Sequence, residues 1–273
     1  MTIAYYILVF IGAALIGLQV TFSRVFRARA LEIADRLHEE PPTRDLPNSL
    51  PPIVADFAFR AGAESGARLR LASFKQKAEL RLKPGGKFID ISAWQVIALS
   101  RAGFLWDARQ EIWPISRLRV IDAFVGGAGH LEARLFGSIP LAKAEGGDIN
   151  LAEAFRYLAE LPWAPDAILG NPDLVWRVTG ANEAEVRLDT PDGVARVTFE
   201  FDAEGDIVGM SAKDRPSRDA KGNTVKYDWR GRYSDYAQLG PRRLPTYGEV
   251  GYVYPSGYET YFRGRIVEYH VTA

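Results

Sequence analysis

The chain has 273 residues, carries 34 basic and 34 acidic side chains for a net charge of zero, and contains no cysteine. Zero net charge excludes the strongly basic class of nucleic-acid binders, and a chain of this length can build its own core without disulfides. None of the histidines, His38, His130 and His270, has a second histidine or a cysteine at metal-ligand spacing, so neither a metal site nor any other cofactor is expected.

Residues 3–22 hold no charged side chain, and Arg24, Arg27 and Arg29 follow directly. As a helix rising ~1.5 Å per residue, this stretch spans roughly 30 Å, the thickness of a bilayer's hydrocarbon core. It reads as a transmembrane anchor, with the bilayer as its partner. Ala28-Arg29-Ala30 has the small-x-small form of a signal-peptide cleavage site, but such peptides carry their positive charge before the apolar core, and here it comes after. Arg24, Arg27, Arg29 and Arg36 all follow the span, so the charge rule places the rest of the chain on the cytoplasmic side of a bacterial inner membrane.

The helix is expected to continue past the span, because Val25, Ala28, Leu31, Ala34 and Leu37 recur at helical spacing and Glu32 lies one turn before Arg36. Five prolines between Pro41 and Pro52 then give the composition of an extended spacer, and a short helix over Ile53–Ala61 is expected after it. The expected organisation is 1–40 for the transmembrane and juxtamembrane helix, 41–63 for the linker, and 64–273 for the main domain.

From about Ser65 onward the hydrophobic period changes from that of a helix to that of a strand. Phe74, Ala78, Leu80 and Leu82 are interleaved with Lys75, Lys77, Glu79 and Arg81, and Ala195, Val197, Phe199 and Phe201 with Arg196, Thr198, Glu200 and Asp202. Turn signals stand at Pro84-Gly85-Gly86, Ala102-Gly103, Gly126-Gly127, Pro191-Asp192-Gly193, Glu204-Gly205-Asp206, Gly222-Asn223 and Pro255-Ser256-Gly257. One helix interrupts the series over Leu151–Leu161: Asn150 and Glu153 have capping-box spacing, Leu151, Ala154, Phe155 and Leu158 make one apolar stripe, and Pro162 ends it. The expected fold is α+β: a strongly curved antiparallel half-barrel of about ten strands around that central helix, preceded by the transmembrane helix.

Aromatic residues mark the interior. Trp94, Phe104, Trp106 and Trp113 fall on or beside the early strands, Trp163 follows the helix, and Trp176, Trp229 and Tyr233 lie on later strands. Together with Phe155 they either fill a core or line an apolar cavity. Asp122 shares a dry strand face with Leu118, Val120 and Phe124, and so needs a partner such as Arg156. His130 shares a face with Glu132 and Arg134 that reads as solvated. Gly126-Gly127-Ala128-Gly129 lacks the lysine of a phosphate loop, and Ser138 lacks the setting of a nucleophile elbow. Nine basic against four acidic residues between Lys213 and Arg243 make either a surface for anionic groups or the charged edges that keep a sheet soluble.

Four blocks carry a resemblance: Arg81-Leu82-Lys83-Pro84-Gly85-Gly86, Phe104-Leu105-Trp106-Asp107-Ala108-Arg109, Arg156-Tyr157-Leu158-Ala159-Glu160-Leu161-Pro162-Trp163-Ala164-Pro165, and Trp229-Arg230-Gly231-Arg232-Tyr233. In this order they resemble an uncharacterised bacterial membrane-anchored family over nearly the whole chain. Tyr233-Ser234-Asp235-Tyr236 followed by Leu244-Pro245-Thr246 is similar to the closing strands of the periplasmic lipoprotein-carrier superfamily, half-barrels that shelter acyl chains. That second resemblance implies a lipid-binding cavity and a periplasmic setting, against the charge rule. The expected function is a membrane-anchored binding protein for a lipid, an acyl chain or a lipidated partner, with no catalytic activity inferred. The alternative is a regulatory or scaffolding module that binds another membrane protein through a strand edge or the basic stretch, with a filled interior.

Overall fold

Alternating segments joined by short turns pair antiparallel with their neighbours. In a computed structural model, which describes residues 2–39, 50–112, 115–219 and 222–273, this rule builds a single open sheet of thirteen strands. Helices α1 (Thr2–Glu39) and α2 (Pro52–Arg60) come first, then strands β1 (Leu71–Arg81), β2 (Phe88–Ala98), β3 (Phe104–Ile112), β4 (Ile115–Val125), β5 (Ala128–Leu135) and β6 (Ile139–Glu145). Helix α3 (Gly147–Ala159), a 3-10 turn (Leu161–Trp163) and helix α4 (Pro165–Gly170) follow. The rest is β7 (Val175–Gly180), β8 (Glu183–Thr190), β9 (Gly193–Phe201), β10 (Ile207–Arg218), β11 (Thr224–Leu239), β12 (Arg242–Tyr254) and β13 (Gly257–Thr272).

The sheet order is β6-β5-β4-β3-β2-β1-β13-β12-β11-β10-β9-β8-β7. Two meanders are thus joined where the first strand pairs with the last, Phe74 lying opposite both Gln95 and Tyr269. The helical segment connects the two outermost strands, and α3 packs against β4, β5 and β6 near one edge and β8, β9 and β10 near the other. Only a sheet curled around the helix can make both sets of contacts. The curved sheet, central helix and N-terminal apolar helix agree with the sequence reading. The strand count is thirteen rather than about ten, because turns such as Phe136-Gly137-Ser138 and Ala181-Asn182 carry weak signals. Phe136 even takes a left-handed φ of 53°, which its residue type does not announce.

The main core lies on the concave side, where α2 and α3 meet the sheet: Phe57, Phe74, Phe104, Tyr157, Leu158 and Phe199 are all buried there. A second core lies on the convex side under the carboxyl-terminal half of α1. Phe26, Ala30 and Leu37 of the helix cover Val96, Leu105, Ile121 and Ala123 of β2, β3 and β4. Of the apolar residues at helical spacing, Leu37 is in the docked face whereas Val25 and Leu31 point outward. Leu37 approaches closely at Gly103, where a Cβ would come within 2.7 Å of the leucine Cδ2 and 3.1 Å of the Phe124 carbonyl oxygen. Arg29 donates to Glu132 at 2.7 Å, Arg134 to the same carboxylate at 2.6 Å, and His130 lies 3.5 Å from it. The His130–Glu132–Arg134 face is therefore covered by α1 rather than solvated. Most of the proline-rich linker and Trp113 lie outside the described residues.

Asn150 does not cap α3, whose N-cap is Gly146. It ties the helix to the sheet instead, accepting from Gly129 N at 2.8 Å and donating to Asp192 at 2.8 Å. Ala154, Phe155 and Leu158 of the apolar stripe are buried as expected and Leu151 is half-buried, but Ala152, Glu153, Tyr157 and Ala159 on other faces are buried too, since the curled sheet encloses the helix. Phe155, 4% exposed, sits in this enclosure. Phe155→Ala is expected to destabilise the protein by about 3–5 kcal/mol, as buried aromatic truncations do, and a denaturant melt measures it.

Candidate functional site

The antiparallel register lines up one transverse row on the concave face: Phe74, Gln95, Trp106, Asp122 and Leu131 stand directly opposite one another across β1 to β5. Facing them, α3 presents Glu153, Arg156 and Glu160, and helical spacing puts the last two one turn apart. Between this helix face, the row and strands β10 to β13 lies a cavity of about 380 Å³, inside the range of roughly 300–1,000 Å³ typical of ligand pockets. Its walls are largely apolar, formed by Leu80, Val120, Ala133, Met210, Val250 and Phe262 with the aromatic rings of Trp106, Trp163, Trp229, Tyr233 and Tyr261.

The charges inside are organised around Arg156. Its Nη1 donates to Asp122 Oδ2 and its Nε to Glu160 Oε1 at 2.8 Å, while its guanidinium lies over the rings of Phe104 and Trp106, at 4.8 Å and 4.9 Å from their centroids. Gln95 Nε2 donates to the other Glu160 oxygen, and Trp106 Nε1 donates to Gln76 at 2.9 Å. A second buried arginine, Arg215, stacks over Trp229 at 4.5 Å, donates to the Ala152 carbonyl at 3.1 Å and also donates to the Tyr252 hydroxyl. The aromatic wall is fixed in the same way. Trp163 Nε1 donates to the Pro245 carbonyl at 2.9 Å, and its ring fits against Gly248, where a Cβ would come within 2.5 Å. Tyr233 donates to the Ala159 carbonyl.

Burial sets the ionisation of the acids. Loss of solvent pushes the Glu153 carboxyl up to about 8, with the charge of Asp122 adding to the effect and Arg215 and Arg156 opposing it. Glu160 is raised by burial too, against the pull of Arg156. Burial alone would weaken the hold of Arg156 on its proton, but Asp122, Glu160 and Glu153 outweigh it. Three cavity-lining side chains keep buried polar atoms that have no hydrogen-bond partner within the protein: Asp122 Oδ1, Arg215 Nε and Arg81 Nε. The first can accept and the other two can donate, so an occupant with a polar end satisfies the facing pair Asp122 and Arg215.

Of the ten residues singled out from sequence, Trp106, Asp122, Arg156, Trp163, Trp229 and Tyr233 meet at this cavity. Phe104 and Phe155 are buried in the main core beside it. Trp94 is not a cavity residue: it lies on the convex face next to the core under α1, because alternation sends it opposite to Gln95. Trp176 is not one either, since it stacks on Phe199 at 6.0 Å, away from the lining. Sequence reasoning missed Gln76, Gln95, Glu160 and Arg215. A search for polar residues in register with Asp122 finds Gln95, whereas Arg215 follows a register shift between Ala212 and Arg215 that alternation does not reveal. Among the described residues no group of three or more His, Asp or Glu could hold a metal ion.

The sequence profile of DUF6544, a family of unknown function, matches residues 40–264. The chain belongs to this family. No curated protein matches the DUF6544 chain. Its structural neighbours include a LolA superfamily protein from Nitrosomonas europaea, at 9% identity and TM-score 0.42, covering 79% of this chain and 92% of that one. A domain assigned to outer membrane lipoprotein sorting from Vibrio parahaemolyticus matches at 8% identity and TM-score 0.46, over 80% of this chain and 91% of that one. A DUF1329 protein from Desulfovibrio piger matches at 10% identity and TM-score 0.42, over 80% and 91% respectively. Likeness of this degree concerns the general arrangement of the chain and says nothing of a ligand.

Arg156→Ala strands the buried Asp122 and Glu160, and is expected to cost about 3–5 kcal/mol in a denaturant melt, whereas Arg156→Met combined with Asp122→Leu and Glu160→Leu should cost far less. Glu153 gives a pH signature. Its folded pKa lies above its unfolded value, so the native state binds the extra proton and stability falls as pH rises from about 4.5 to about 8. Glu153→Gln should therefore raise the melting temperature at pH 8, with the gain shrinking toward pH 5.

Proposed function

We propose that this DUF6544 protein is a single-pass membrane protein whose half-barrel binds an amphipathic lipid, an acyl chain or a lipidated partner. The observation that carries the reading is the cavity itself. Its walls are apolar, and its buried end holds the Asp122–Arg156–Glu160 cluster and Arg215, with an unpaired acceptor and an unpaired donor. At ~30 Å³ per water-sized group, its 380 Å³ has room for about a dozen methylene-sized groups. The apolar tail of such a ligand would lie along Trp106, Trp229 and Phe262, and its polar end against Arg215 and Asp122. Helix α1 supports the membrane part of the reading: it is long and apolar enough to cross a bilayer, with Tyr5, Phe10, Ile16 and Leu18 exposed. The arginines after the span favour the cytoplasmic side for the domain. A scaffolding module with a filled interior fits less well, because the interior is open.

Native mass spectrometry of the full chain, extracted from its host in mild detergent, tests the proposal. A stoichiometric lipid adduct is expected, and Ala133→Trp, which fills the cavity from β5, should lose it. Absence of an adduct, together with unchanged tryptophan fluorescence on adding fatty acids or phospholipids, would sink the reading.

A further inference from the structure

The carboxyl-terminal half of helix α1 runs along the convex face in a direction set by contacts at Ser23 and at its carboxyl end. Arg119 Nη1 donates to the Ser23 carbonyl at 3.1 Å, and a Cβ on Gly137 would meet the Ser23 side chain within 3.2 Å. At the other end, Leu37 rests on Gly103, and Arg70 donates to the His38 carbonyl at 2.9 Å. Ser23 therefore lies over the row Lys77–Ser92–Arg109–Arg119–Arg134. The apolar turns before Ser23 continue past the end of the sheet that carries the β1–β2 turn and the β5–β6 turn.

The cavity opens at that same end. Of the residues that line it, only Leu82 in the β1–β2 turn and Ala142 on β6 are exposed. The surface there has the chemistry of a bilayer contact. Among the described residues after α1, the exposed Leu and Ile side chains, Leu82, Ile139 and Leu141, all lie at this end, while Phe59 is on α2 and the exposed valines Val175, Val178, Val194 and Val267 are on β7, β9 and β13. Arg24, Arg27, Lys83, Lys87 and Arg117 are exposed around them, and Asp90 is an exposed acid nearby. Apolar side chains within a basic ring match the boundary between anionic headgroups and acyl chains.

We infer that this end of the half-barrel rests on an anionic bilayer surface, with the mouth of the cavity facing the leaflet into which α1 descends, so that ligand passes between cavity and leaflet without crossing water. The inference rests on the anchor part of the proposed function and not on what fills the cavity.

The chain has no cysteine, so single labels report position directly. Full-length Leu82→Cys, Leu141→Cys, Phe10→Cys and Glu204→Cys variants would carry an environment-sensitive fluorophore in phosphatidylcholine vesicles with or without phosphatidylglycerol, doped with shallow spin-labelled lipid. Glu204 serves as the distant site, because its turn pairs through Asp206 with Arg243 at the opposite end of β12. The Leu82 and Leu141 probes should be quenched severalfold more than the Glu204 probe, more strongly with phosphatidylglycerol, and Lys83→Glu with Lys87→Glu should remove that lipid dependence. Equal quenching at Leu82 and Glu204, in vesicles where the Phe10 probe is quenched, would overturn the orientation while leaving the anchor in place. An unquenched Phe10 probe would overturn both, and energy transfer between Leu82 labels on different copies without lipid quenching would show self-association instead. None of these readings depends on a ligand in the cavity, so the lipid-binding reading stands or falls separately.

Discussion

The connection from β6 to β7 is the constraint from which the rest of the structure follows. These strands are the two edges of a thirteen-stranded sheet, which would lie ~58 Å apart if the sheet were flat at ~4.8 Å per strand. The chain between them folds as α3, a 3-10 turn and α4. Helix α3, only ~20 Å long at ~1.5 Å per residue, packs against strands near both edges, which it can do only if the sheet curls until they approach each other. Once it does, the helix is trapped inside the curve and touches both meanders. Pairing of β1 with β13 at the middle of the sheet closes the topology.

Enclosure explains why α3 is not amphipathic in the usual sense. A surface helix keeps one wet face, but here Ala152 to Ala159 are enclosed by protein, and Arg156 and Glu160 turn toward a buried space while Glu153 is buried beside them. Arg156 is satisfied because the sheet returns Asp122 to it, and the helix itself supplies Glu160 one turn on. A single helix also cannot fill the concavity that thirteen strands enclose, so a cavity remains beside it. Apolar walls and buried charge then share one chamber, which suits an amphipathic occupant better than a wholly apolar or wholly polar one.

Much of this architecture was legible because local signals are repeated. Seven hairpin turns carried Gly, Pro, Asn or Asp at the expected places, and the switch from helical to strand period is sharp near Ser65. Asp122 was readable as an anomaly for the same reason, a carboxylate in phase with leucine and valine. The position of Asn150 was misread, since an Asn three residues before a Glu looks like a cap whether or not the helix begins there; its amide holds Gly129 and Asp192 instead. The docking face of α1 was ambiguous because apolar residues surround that part of the helix, and only the sheet selects Phe26 and Ala30 over Val25 and Leu31. Trp94 shows a further limit: alternation says that it faces opposite to Gln95, but not which of two covered faces holds the cavity. Nothing in the sequence announced that the convex face was covered at all.

That second covering gives the fold its tie between helix α1 and the cavity. Strands β2, β3 and β4 carry the docking surface of α1 on one face and the polar row on the other, so Leu105 lies under the helix while Trp106 lines the cavity, and Ile121 lies under it while Asp122 binds Arg156. Arg119 adds a direct clamp, donating from β4 to the Ser23 carbonyl and, at 3.3 Å, to Asp107 on β3. Antiparallel ladders space neighbouring strands rigidly, and side chains one residue apart cannot move independently of the backbone between them. Helix α1 and the floor of the chamber are therefore parts of one packed unit. The docking of Phe26, Ala30 and Leu37 fixes the direction of α1 relative to the opening of the chamber.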